Sequence, residues 1–101
     1  MPLKKVTLYK TSVVAFKQLQ ASLLKSNFRI VSSDSLYQIL YVRREESLLS
    51  RFLTFKIKMV GIGDKTNITI EPNGLISSLF KFERHYLLKA SNELERILRE
   101  S

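Results

Sequence analysis

The sequence predicts an α+β fold: strand, helix, four-strand meander and long helix, with two helices on one face of a five-stranded, mainly antiparallel sheet. Three observations predict it. Apolar and polar residues alternate over Leu3 to Tyr9, Leu53 to Val60 and Asn67 to Glu71, the two-residue period of strands with one buried face. Apolar residues recur at three and four positions over Val13 to Ser26 and over Ser78 to Glu100, the period of helices. Turn-forming clusters separate these patterns at Ser32-Ser33-Asp34-Ser35, Gly61-Ile62-Gly63-Asp64 and Pro72-Asn73-Gly74.

In the first strand Val6 and Leu8 share one face and Lys5, Thr7 and Tyr9 the other. Thr11 or Ser12 caps the first helix, whose apolar stripe is Val13, Phe16, Leu19 and Leu23, and Asn27 suits its end. Phe28 to Val31 and Leu36 to Val42 are β-branched and aromatic-rich and read as a hairpin about the serine cluster. In the next strand Leu53, Phe55, Ile57 and Met59 face away from Thr54, Lys56, Lys58 and Val60. Ile68 and Ile70 then alternate with Asn67, Thr69 and Glu71. The last helix carries the stripe Leu87, Ala90, Leu94 and Ile97.

The 101 residues suit one domain, 1–101, and no repeat or Gly/Ser/Pro-rich linker divides them. Seventeen Lys and Arg against nine Asp and Glu make the net charge +8. No cysteine means no thiol nucleophile, disulfide or cysteine metal site. A single histidine leaves no His cluster for a metal. No apolar run approaches the roughly 20 residues of a membrane-spanning helix, and Met1-Pro2-Leu3-Lys4-Lys5 does not open a signal peptide, so a cytoplasmic location is expected.

The element order from Val13 to Glu100, a helix entering the Phe28-Arg29-Ile30-Val31 strand, a meander and a long closing helix, resembles that of small helix-grip domains, including the BamC-type lipoprotein domains and the Bet v 1-like group. The resemblance implies a curved sheet gripping the last helix, sometimes around an apolar cavity, with binding or assembly roles more usual than catalysis.

No catalytic constellation assembles from spacing. Gly61-Ile62-Gly63 lies between two strand patterns and reads as a turn, because a phosphate cradle must open a helix. His85 groups with Lys89 and Asn92, away from the apolar stripe, as a solvated surface residue. Glu45-Glu46 directly follows Arg43-Arg44, which neutralises it. The stripe from Leu87 to Ile97 is short for a coiled-coil seam and reads as packing on the sheet. No enzyme activity, cofactor or metal is therefore expected.

Charge placement points to binding. The first thirty-three residues hold six Lys or Arg and no acid, and two helices cover only one sheet face. On the open face Lys5, Arg29, Lys56 and Lys58 would hold the phosphates of a polyanion, nucleic acid above all, with Tyr37 and Tyr41 as stacking residues. One alternation leaves the tyrosines undecided: Leu36, Gln38, Leu40 and Val42 point one way, and Tyr37, Ile39, Tyr41 and Arg43 the other, both sets being apolar. The alternative expectation is an interaction or apolar-ligand module of helix-grip type, monomer or homodimer. It would use Leu48, Leu49, Phe52, Leu75, Ile76, Leu79 and Phe80, large apolar residues where a loop is ordinarily polar.

Overall fold

In chain order the elements are β1 (Lys4–Leu8), α1 (Ser12–Leu24), β2 (Phe28–Asp34), β3 (Ile39–Arg44), β4 (Leu53–Ile62), β5 (Lys65–Pro72) and α2 (Lys81–Glu100). The computed structural model describes the backbone of residues 4–44, 53–72 and 81–100, and the side chains of all of these except 53 and 81–87. The α+β class and the strand-helix-strands-helix order follow the alternation and helical spacing of the sequence. Every strand pairing is antiparallel, in the order β1-β5-β4-β3-β2.

β1 and β2 therefore lie at opposite edges, and α1 carries the chain from one to the other. Four inter-strand steps span about 19 Å, and thirteen helical residues rise about 20 Å. Thr11 opens the helix in extended conformation, its Oγ1 accepting from Val14 N. Ser26 closes it in place of Asn27: its N–H reaches Leu23 O at 3.0 Å, its hydroxyl donates to the same oxygen at 2.7 Å, and the hydroxyl then accepts from Phe28 N. Leu23 O, in the last turn of the helix, is thereby satisfied without a left-handed residue.

The core lies between the helices and one sheet face. Val6 and Leu8, Leu40 and Val42, Phe55, Ile57 and Met59, and Ile68 and Ile70 point into it beside Phe28. The Phe28 and Phe55 rings meet edge-on, 6.5 Å apart. From α1 come Ala15, Phe16, Leu19 and Leu23. Val13, expected in the stripe, is 56% exposed, because it lies about 120° around the helix from Leu19 at 100° per residue. Ala90, Leu94, Ile97 and Leu98 of α2 complete the core. Three of these belong to the expected stripe, and their burial shows the stripe packing on the sheet.

Two ion pairs hold α2 across the sheet. Lys4 of β1 meets Glu95 at 3.4 Å, and Arg44 of β3 meets Glu93 at 2.5 Å while also lying over the Phe28 ring.

The β2–β3 hairpin turns later than the serine cluster predicts. β2 continues through Ser32 and Ser33 to Asp34, and residues 35–38 make the turn. Asp34 Oδ1 accepts from both Leu36 N and Tyr37 N at 3.1 Å, an Asx-type closure, and Gln38 takes a left-handed φ of 55°. The pairing register shifts between Ile30 and Ser32, making Val31 the extra residue of a bulge. The β4–β5 hairpin is tighter. Ile62 pairs with Lys65 across Gly63 and Asp64, and Gly63 supplies a φ of +61° that such a two-residue loop requires. Gly61 serves another purpose: a Cβ there would lie 2.8 Å from Ser12 Oγ, so its absence lets the start of α1 rest on β4.

Candidate functional site

The sheet face turned away from the helices is assembled by register. Arg29 of β2 stands directly across from Arg43 of β3, which stands across from Thr54 of β4. The next row runs Ser32, Tyr41, Lys56 and Glu71. The row after it runs Asp34, Ile39, Lys58, Thr69 and Lys5. Lys5, Arg29, Lys56 and Lys58, four cations taken from alternation alone, thus share one face.

The undecided tyrosines separate. β3 begins at Ile39, so Leu40 and Val42 point to the core and Ile39, Tyr41 and Arg43 lie on the open face. Tyr41 is half-buried among its cross-strand neighbours. Tyr37 lies in the turn, 68% exposed, on no strand of the platform. Arg43 joins the face by the same alternation that places Tyr41, a signal already present in the Tyr41-Val42-Arg43 spacing. Near the β4–β5 hairpin Lys65 Nζ lies 5.5 Å from the centre of the Tyr9 ring, and Thr7 Oγ1 donates to Asn67 Oδ1 at 3.1 Å.

The described acids of α2 are drawn to the helix side of the sheet or along the helix. Glu93 and Glu95 pair with Arg44 and Lys4 on the helix side, and Glu95 and Glu100 also pair with Arg99 and Arg96 along α2. The Arg99 hydrogen bond, helped by Lys4 and opposed by partial desolvation, holds the Glu95 carboxyl below the usual glutamate range. Asp34 is engaged by turn amides. Among the described strand residues two acids face the same way as the cations: Glu71, across from Lys56, and Asp34, at the β2 end of the Lys58 row.

Gly61-Ile62-Gly63 belongs to a strand end and a hairpin, with no helix opening from it. A polar groove of about 430 Å³ runs between the end of α1 and α2, lined by Lys25, Asn27, Glu93 and Arg96 among others. Leu48, Leu49, Phe52, Leu75, Ile76, Leu79 and Phe80 lie outside the described residues, as do Glu45, Glu46 and the side chains of His85 and Leu87. The strand ends flanking the two apolar segments adjoin: Arg44 pairs with Leu53, and Phe55 with Pro72. Among the described residues no three His, Cys, Asp or Glu side chains gather as a metal site would need, and no helix is long and apolar enough to cross a membrane.

The chain matches no family model, and no curated protein is similar to it in sequence.

Proposed function

We propose that this is a non-enzymatic binding domain that holds a polyanion, nucleic acid, on its open sheet face. The observation that carries the reading is the shared face of Lys5, Arg29, Arg43, Lys56 and Lys58 on four different strands. Glu93, Glu95 and Glu100 of α2 meanwhile pair with cations on the other side of the sheet or along the helix itself. Clustered cations on one surface raise the local concentration of anions and favour their capture. A cytoplasmic setting belongs to the same reading. Anisotropy titration of a labelled oligonucleotide across a salt series tests it. Engagement of about four phosphates gives a log–log slope of about −3 to −4. Weak binding that salt does not change overturns the proposal.

The adjoining strand ends beside the two apolar segments favour a second reading. In it Leu48, Leu49 and Phe52, with Leu75, Ile76, Leu79 and Phe80, form an interface or an apolar-ligand mouth on a helix-grip domain, monomeric or homodimeric. Light scattering with a hydrophobic-dye assay separates the two. A strict monomer that binds no dye leaves the second reading without support.

A further inference from the structure

We infer that the open face takes single-stranded nucleic acid along one diagonal of the sheet, with a base stacked on Tyr41. The inference rests on the polyanion reading and specifies its ligand.

Cross-strand register lays out the cations as a track. Lys5 at the β1 edge shares a row with Lys58 through Thr69. Lys56 lies two residues back along β4, one row nearer to the row of Thr54, Arg43 and Arg29. The track therefore crosses all five strands while moving one way along them. Four inter-strand steps of about 4.8 Å and four residues of about 3.4 Å make its length about 24 Å. That is the reach of roughly four extended nucleotides, the lower end of the site sizes of sheet-based single-strand binders.

The two flanks of the track differ. On one side Tyr41 stands directly across from Lys56 and two residues from Arg43, with Ile39 next along its strand. A base whose phosphate lies on Lys56 or Arg43 meets the tyrosine ring and an aliphatic neighbour, a stacking surface indifferent to base identity. On the other side Glu71 stands across from Lys56, and at the β2 edge of the Tyr41 flank Asp34 stands across from Ile39; both carboxylates repel a second phosphate chain. A duplex carries two such chains, whereas a single strand places its phosphates on the track and its bases toward Tyr41.

The test compares three probes by anisotropy at one salt concentration: a labelled oligothymidylate, an abasic chain with the same phosphates, and a duplex, each about eight nucleotides long. The oligothymidylate is expected to bind about ten-fold or more tightly than the abasic chain. Tyr41→Ala should remove that advantage and Tyr41→Phe keep it, with unchanged circular dichroism. If the alanine variant does not fold, the wild-type comparison of thymidylate with abasic chain still decides. Equal, salt-sensitive binding of those two probes overturns the stacking inference and leaves the polyanion reading standing. Tighter binding of the duplex overturns the inference as well. Failure of all three probes to bind removes both.

Discussion

Arg44 Nη1 lies 2.5 Å from Glu93 Oε2, while the preceding arginine, Arg43, lies on the opposite face of the sheet, across from Arg29. Strand alternation thus gives two adjacent, chemically identical residues different work. The second fastens α2, and the first adds charge to the open face.

That division is separable by experiment. Arg44→Ala removes a mostly covered ion pair and the cation over Phe28, leaving Glu93 without this partner. A loss of about 1–3 kcal/mol is expected, a fall in Tm of roughly 5–15 °C for a domain this size. The salt slope of oligonucleotide binding should not change. Lys58→Ala, on the exposed centre of β4, should do the reverse: stability within about 0.5 kcal/mol of wild type and a slope shallower by about one. Thermal melts and titrations on both variants check this, and a reduced slope in the Arg44 variant would count against the separation of roles.

Glu95 predicts a pH dependence. Arg99 at 2.9 Å and Lys4 at 3.4 Å stabilise its charged form, so its folded pKa lies below the ordinary value. The unfolded chain therefore takes up the proton first as the solution is acidified. The stabilising contribution is complete above the usual glutamate pKa of about 4.3 and fades as pH falls from there through the folded value. Replacement by glutamine, Glu95→Gln, should lower stability at pH 7, and the gap to wild type should close in acid. Urea unfolding of both proteins at neutral and acid pH measures it; a gap independent of pH would show that the carboxylate's charge is not what matters.

Gly61 predicts a packing conflict. A Cβ at this position would lie 2.8 Å from Ser12 Oγ and 3.0 Å from Ser12 Cβ, closer than unstrained contacts allow. Gly61→Ala should cost about 1–2 kcal/mol. If Ser12 is the obstacle, combining Gly61→Ala with Ser12→Gly recovers part of that loss beyond additivity in a double-mutant cycle. Additive effects in denaturant melts would place the cause elsewhere.

Legibility from sequence followed locality. In β4 and β5 strict alternation placed Phe55, Ile57, Met59, Ile68 and Ile70 in the core and Lys56 and Lys58 opposite them, because only one face of each strand is apolar. The stripe on α2 was legible through Ala90, Leu94 and Ile97 for the same reason, although Leu98, one position outside the expected spacing, is equally buried. The β2–β3 hairpin was legible as a pairing, but the position of its turn was not. Serines are common in turns, yet here Ser32 and Ser33 pair as strand residues, because the Asp34 carboxylate and the left-handed Gln38 close a later turn. Tyr37 left the platform as a result.

By itself the sequence determined the fold class, the order of elements and the four cations Lys5, Arg29, Lys56 and Lys58, since two-residue and helical periods are properties of short segments. Tertiary structure alone decided that β1 pairs with β5 rather than with β2, and that Tyr41 and Arg43 lie beside the lysines. A strand apolar on both faces carries no internal preference for either. Its orientation comes from the partners it pairs with, and here the bulge at Val31, the Asp34 turn and the β4 register impose it.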